Sequence, residues 1–438
     1  MTGLIWDGKY KDGKSADSSQ GNLPGTQENM QRPPSAVQTI DDTTTPVKAL
    51  QEEPAADSSW LKWRIALQQV LPIYIAVHLA FLTLTYLAAL FTVGDFSITS
   101  LRVHTLLTSW FRWDSGHYTS IATHGYSESY KTAFFPLFPL LERGVSFLTH
   151  APFVAGLLIS NLAGLGMLLV LYRLVEEDFD AERAYRTTIY LSVFPTAFFF
   201  AAAYNESLFL FLAILSFYAM RRGNWWLAGL SGALAILTRS AGLALLLPFF
   251  YEYARQHEFK PGMIRFDVLA SGLIPAGLGI YALYCFFQFH DALAFSHAQA
   301  AWHRYLAPPW QGIIAAFTWI LQHSILSFYS IHNVIDLGAC LFILLLLILS
   351  FVGPWKLPRD RWSYGIYAVG IYMLVQLYPS ANAVPMAAYS RYMLEVFPAF
   401  ITLAAIGKNR QFNFYYLAIA LTLLSFMLLQ FLTGHWII

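Results

Sequence analysis

Phe111-Arg112-Trp113-Asp114-Ser115-Gly116-His117-Tyr118 lies between two long apolar runs, with Ile121-Ala122 and Gly125-Tyr126 just behind it. The stretch sets a carboxylate among rings at the edge of sequence that otherwise belongs in lipid. A solvated loop does not need that much aromatic surface. Asp114 therefore reads as a catalytic base held at a membrane face. The plainer alternative is a helix cap in an aromatic belt at the membrane surface.

The surroundings set the class. The chain is 57% hydrophobic and only 12% charged, whereas a soluble domain carries roughly 25% charge, so this is a polytopic membrane protein. Residues 1–60 are the exception. They hold five Lys/Arg against nine Asp/Glu and are rich in Ser, Thr, Pro, Gln and Gly. Such a segment has too little apolar surface to offset chain entropy and reads as a disordered cytoplasmic tail. Residues 61–438 then form the transmembrane catalytic domain. A net charge of +1 gives no basis for a nucleic-acid partner. Cys285 and Cys340 sit inside apolar runs, as small core residues rather than a disulfide framework. The first apolar run begins only after Trp60, so no secretory signal peptide is expected.

Lys62 and Arg64 precede the run 66–93, which places the N-terminus in the cytoplasm by the positive-inside rule. The loop 94–150 is then extracytoplasmic. It holds the Trp-Asp stretch and Phe134-Phe135-Pro136-Leu137-Phe138-Pro139, whose two prolines predict an interfacial or re-entrant segment. Segments follow at 153–174, 187–203, 206–220, 225–238, 241–253, 266–287, 330–352, 362–378, 392–406 and 413–431. The fold class is thus all-α, with about eleven transmembrane or re-entrant helices and two large extracytoplasmic loops, the second being 288–329. Several segments fall short of the roughly 20 residues of a full span. Short pairs of this kind dip to a cavity and line it with their polar turns. Of the 22 Lys/Arg after residue 60, 15 fall on the inner side and 7 on the outer.

Every suspicious polar cluster lies on the outer side. Asp114, Glu206, Arg239, His297, Arg304, Arg391 and Tyr392 converge there in this topology. Ionised groups in lipid cost about 2.5–3.5 kcal/mol each, so they persist where they pair or act. Arg239 stands between two apolar helices, where a guanidinium suits bidentate binding of a lipid phosphate. The alternative for Arg239 is a structural pair with Glu206. A polyprenyl phosphate sugar would present its phosphodiester to such a site. Arg239, Arg391 and Arg304 would hold the leaving phosphate. Asp114 would remove the proton of an attacking hydroxyl in a single inverting displacement. Trp113, His117, Tyr118, Asn205, Glu206, His297, Trp302 and Tyr392 are the expected substrate contacts. No His or Cys cluster has metal-ligand spacing, so neither a metal nor another cofactor is expected. No phosphate-binding glycine loop of the nucleotide-dependent kind is found. Asn205-Glu206-Ser207 matches a glycosylation sequon but lies too close to the membrane to be used.

In this order, the motifs resemble the PIG-V family of mannosyltransferases and its bacterial relatives. They are Arg112 to Tyr118 with Ile121-Ala122 and Gly125-Tyr126, Ala133 to Leu140, Ala203 to Phe209, Leu237 to Gly242, Phe295 to Trp302, and Ser390-Arg391-Tyr392. The resemblance runs from about residue 60 to the C-terminus. It implies a GT-C fold with an extracytoplasmic active site, dolichyl or polyprenyl phosphate mannose as donor, inversion, and an acid in the first outer loop as base. That acid is Asp114 by position. It also implies a glycolipid or glycan acceptor. The compact outer loops look bacterial, which puts the protein in a plasma membrane; a eukaryotic source would put it in the endoplasmic reticulum. A different class of reading, a transporter or flippase of lipid-linked sugars, would call for interrupted helix pairs in two matching halves. The interrupted pairs here, 187–220 and 225–253, are consecutive and have no later copy.

Overall fold

The computed structural model describes residues 56–92 and 103–435. The segment read as a tail lies outside the described residues up to position 55, and its last five residues begin the first helix. Arg102 also lies outside them. The described chain is helical: α1 (Ala56–Thr92), α2 (Val103–Thr108), α3 (Asp114–His124), α4 (Leu137–Thr149), α5 (Pro152–Asp178), α6 (Ala181–Ser192), α7 (Glu206–Arg221), α8 (Trp225–Thr238) and α9 (Leu246–Gln256). There follow α10 (Leu273–Phe289), α11 (Ala294–His297), α12 (Gln311–Gln322), α13 (Phe328–Phe351), α14 (Trp362–Gln376), α15 (Tyr389–Tyr392), α16 (Phe397–Ile406) and α17 (Arg410–Thr433). Polar side chains close several helix starts. Asp180 accepts from the Arg183 amide, Asn224 from Leu227, Ser327 from Ser330, and Asn409 from Gln411 and Phe412, as expected of cap residues. Pro152 opens α5, where its missing N–H removes no helical bond.

Five helices are long and apolar enough to cross a membrane: α1, α5, α10 with its lead-in from Phe266, α13 and α17. Leu79, Leu162, Phe287 and Ile419 on these helices are all exposed. Apolar surface of this extent belongs against lipid, and the protein is a multi-pass membrane protein. The other expected segments are shorter and broken. α7 has 16 residues, α8 has 14, α9 has 11 and α16 has 10. At 1.5 Å per residue these are about 15–24 Å long, less than the roughly 30 Å of a hydrocarbon core. Tight 3-10 turns at Ser240–Leu245 and Met393–Glu395 precede α9 and α16. α4 starts at Leu137, directly after Pro136, and its 13 residues are too few to span. One expectation needs correcting. The stretch 288–329, read as a loop, contains the apolar helix α12. A run of twelve residues after Pro308-Pro309 is too short for hydropathy to separate from an interfacial loop.

α7 is the central strut. It packs on α5 and α8 and is buried along nearly its whole length. Its two ends carry charge. At the Arg221 end, the guanidinium meets Asp178 at 2.9 Å and Glu252 at 3.0 Å, and the Tyr364 hydroxyl donates to Asp178 at 2.6 Å. This plate ties α5, α7, α9 and α14 together on the face the sequence assigns to the cytoplasm. Glu206 starts the other end.

After α8 the chain folds back at once. The Gly242 amide donates to the Arg239 carbonyl at 2.9 Å. A Cβ on Gly242 would stand 2.6 Å from the backbone nitrogen of Ile236, so no larger residue fits without backbone movement. Gly242→Ala is expected to destabilise by about 1–3 kcal/mol and to lower the thermal unfolding midpoint in detergent. A wild-type midpoint would show that the fold-back has slack.

Candidate active site

Asp114 is the first residue of α3, where a carboxylate is favoured by the helix dipole. The turn that presents it is strained: Trp113 has φ 40° and ψ −108°, a conformation that costs a bulky residue about 1–3 kcal/mol. Several contacts hold the turn in place. The Ser115 amide and hydroxyl both donate to the Arg112 carbonyl, which also accepts from the Tyr204 hydroxyl at 2.9 Å. The Arg112 guanidinium donates to the Leu432 carbonyl at 2.7 Å, fastening the turn to the end of α17. From behind, Thr119 donates to the buried carboxyl of Glu142 on α4 at 3.0 Å. Burial pushes the Glu142 carboxyl up to about 8, against the opposing Thr119 bond.

Arg391 arrives from the far end of the sequence on the single turn α15. Ala388 before it has φ 64°, again a costly conformation outside glycine. Asp336 of α13 accepts from the Ser390 amide at 2.8 Å, and Thr196 donates to the Ser390 carbonyl at 2.8 Å. Two distant segments therefore fix where Arg391 points.

The result is a chain of alternating charge. Arg391 Nη1 meets Asp114 Oδ2 at 2.7 Å, and Arg391 Nε meets Glu206 Oε1 at 2.5 Å. The same Glu206 oxygen meets Arg239 Nη1 at 2.6 Å, and Arg239 Nη2 lies 3.0 Å from Glu395. Asn205 accepts from Arg239 at 3.0 Å and donates to the Thr238 carbonyl at 2.8 Å. Both halves of its amide are engaged and the residue is buried, so the sequon is not open to modification. Rings surround the cations. Arg391 lies 4.7 Å from the ring centres of both Phe199 and Tyr204. Tyr392 stands 5.2 Å from Arg239 and 5.3 Å from Arg304. Glu206 is fully buried, while Asp114 keeps 13% of its side chain open. The cluster therefore presents one carboxylate outward on a compensated base of ions.

Arg304 differs from the other two arginines. Among the described residues no carboxylate lies within ion-pair distance of it. Its guanidinium donates to the carbonyls of Tyr378 and Ala387 at 3.0 and 2.9 Å and to the Tyr392 hydroxyl at 3.3 Å. Its partners in hydrogen bonding are neutral, unlike those of Arg239 and Arg391.

The remaining expected contacts divide in two. Tyr118 is buried against Phe134 and Phe138. His117 stacks on Phe134 at 4.8 Å and meets the edges of Trp302 and Tyr130. Burial holds the His117 imidazole below its ordinary value, with Asp114 opposing the effect and Lys131 adding to it. Trp113 sets its ring 5.3 Å from that of Phe431 on α17. His297 stands apart from the charge cluster, two-thirds exposed and 2.7 Å from Asp291. Glu395 and Asp336 are participants that sequence reasoning missed. Their signal was a single acid within Met393-Leu394-Glu395-Val396-Phe397 and another within α13. Among the described residues, no three His, Cys, Asp or Glu side chains are grouped so as to hold a metal ion.

Comparison with known proteins follows the same outline. A family model described as mannosyltransferase (PIG-V) matches residues 76–310, which include Asp114, Glu206, Arg239 and Arg304. GPI alpha-1,6-mannosyltransferase 2 of Rattus norvegicus is 34% identical over 39% of this chain and 37% of its own length. GPI mannosyltransferase 2 of Cryptococcus neoformans is 29% identical over 41% of this chain and 45% of its own length. The chain thus spans less than half the length of these curated relatives. Among solved structures, ArnT from Cupriavidus metallidurans bound to undecaprenyl phosphate is similar at a TM-score of 0.46 and 15% identity, over 75% of this chain and 74% of that one.

Proposed function

Because the chain belongs to the mannosyltransferase (PIG-V) family, whose model matches residues 76–310 of its 438, we propose that it is a membrane glycosyltransferase of GT-C type. It moves a mannosyl group from a polyprenyl or dolichyl phosphate to a hydroxyl of a lipid-linked or envelope glycan, on the extracytoplasmic side. The observation that carries this reading is the 2.7 Å contact between Asp114 and Arg391 within the buried ion chain. It puts a partly open carboxylate directly beside guanidinium groups.

The acceptor oxygen attacks the anomeric carbon while the bond from that carbon to the phosphate oxygen breaks. The acceptor proton passes to Asp114, and polyprenyl phosphate leaves with the bonding pair. Attack opposite the leaving group inverts the anomeric centre. Arg391 holds the Asp114 carboxylate in place, as charge-assisted hydrogen bonding does. Arg304, which among the described residues lies within ion-pair distance of no carboxylate, takes the phosphate. Arg239 spends its fork on Glu206, Asn205 and Glu395 and supports the cluster's potential from behind.

Purified protein in lipid nanodiscs, given polyprenyl phosphate mannose and a hydroxyl acceptor, is expected to release polyprenyl phosphate only when acceptor is present. Transbilayer movement of intact donor without cleavage would instead favour the flippase reading. Arg304→Ala is expected to raise the apparent donor KM roughly ten-fold or more, as loss of a charged hydrogen bond does, with kcat less affected. Unchanged donor KM would leave Arg304 as a tie between loops.

A further inference from the structure

A cavity of about 330 Å³ opens between the turn Ser129–Ala133 and the segment that follows α10. That is near the low end of the roughly 300–1,000 Å³ usual for small-molecule sites. Ala294 and Ala298 floor it with methyl groups, and Ser129, Tyr130, Asp291 and His297 bring polar atoms to its walls. The charge chain does not reach it. The site is nonetheless linked to Asp114 through rings: Tyr130 meets His117 at 6.1 Å, and His117 follows Asp114 by one helical turn.

The lining selects its occupant. Asp291 Oδ2 takes a 2.7 Å bond from His297 Nδ1, and Asp291 Oδ1 accepts from the Leu293 amide at 2.9 Å. These two partners, His297 first, hold the Asp291 carboxyl below the usual carboxylate range. A fixed carboxylate of this kind repels a phosphate and accepts from hydroxyl groups. With His297 Nδ1 bonded to Asp291, its Nε2 is left as a further hydrogen-bonding group. Tyr130 adds a half-buried aromatic face, suited to the apolar side of a pyranose, and Ser129 adds a hydroxyl. Lipid phosphate therefore belongs to the arginines and uncharged sugar to this cavity.

We infer that the cavity is a subsite for a neutral hexose ring of the acceptor, one ring removed from the attacking hydroxyl. The inference rests on the transferase reading above and deepens it.

Two acceptors test it: an alkyl hexoside with one ring and its two-ring counterpart. Wild type is expected to have a higher kcat/KM for the two-ring acceptor. Asp291→Ala is expected to reduce the two-ring to one-ring ratio by about ten-fold, and His297→Ala to reduce it less. Asp291 and His297 are 38% and 67% exposed, so both variants are expected to remain monodisperse. Asp291→Asn, which keeps the side chain's size, is a second check should the alanine variant fail to fold. An unaltered ratio in the folded variants overturns the subsite. Saturation-transfer NMR with the free disaccharide gives an independent reading. If wild type releases no polyprenyl phosphate yet binds the disaccharide in an Asp291-dependent way, the transferase reading falls and the sugar site stands. If wild type turns over but binding ignores Asp291, the subsite falls and the transferase reading stands.

Discussion

Asp114→Asn is expected to reduce transfer by about 10²–10⁴-fold, the usual contribution of a positioned general base, while the protein still folds and binds donor. The amide matches the carboxylate in shape, and its oxygen still accepts from Arg391 Nη1, now 2.7 Å from Asp114 Oδ2. The strained turn at Trp113 is held by the Arg112 carbonyl and by Leu432, neither of which involves the Asp114 side chain. What the amide lacks is the ability to take the acceptor's proton. Single-turnover release of polyprenyl phosphate, with donor binding measured separately on the same preparation, checks this. Full turnover in Asp114→Asn would remove Asp114 as the base and leave the ion chain as a structural device.

Glu206→Ala is expected to produce the largest loss of stability of any single change at the site. One oxygen of Glu206 receives both Arg391 Nε and Arg239 Nη1, at 2.5 and 2.6 Å, in a side chain with no solvent exposure. Its removal leaves Asp114 as the carboxylate on Arg391 and Glu395 as the carboxylate on Arg239, and puts two guanidiniums near each other without the anion between them. Breaking a buried ion pair typically costs about 3–5 kcal/mol. Glu206→Gln keeps an acceptor oxygen but not the charge, and is expected to fall between alanine and wild type. The checks are the unfolding midpoint in detergent and the monodisperse fraction on size-exclusion chromatography. A wild-type midpoint for Glu206→Ala would mean the arginines find water or another anion, and that the chain of charge does not hold the fold together.

These two expectations come from different kinds of information. Asp114, Arg239 and Arg391 stood out in the sequence because a charge among apolar residues is costly enough to require a reason. Glu395 and Asp336 were just as anomalous by that rule. Asp336 sat singly in the apolar run of α13, and Glu395 fell three residues beyond the Ser390-Arg391-Tyr392 motif, outside its bounds. Trp113 was readable as an aromatic beside the acid, but nothing in its local sequence indicated that its ring would turn to Phe431. His297 was legible as a polar residue in the second outer loop. Its separation from the arginines, and its partnership with Asp291 at the wall of the cavity beside the turn Ser129–Ala133, depended on where α10 ends.

The sequence by itself determined that this chain is helical and built for lipid, where its polar ends fall, and which short motifs deserve suspicion. Hydropathy and charge are local properties that residues carry wherever they are placed. Only the tertiary structure decided that Asp114 and Arg391, 277 positions apart, share a hydrogen bond through packing around α7. It also decided that Glu206 is the anion between two arginines and that Arg304 is held by two carbonyls and a tyrosine hydroxyl. Pairing of this kind depends on angstrom-scale distances between helices, which arise from the packing of the whole bundle.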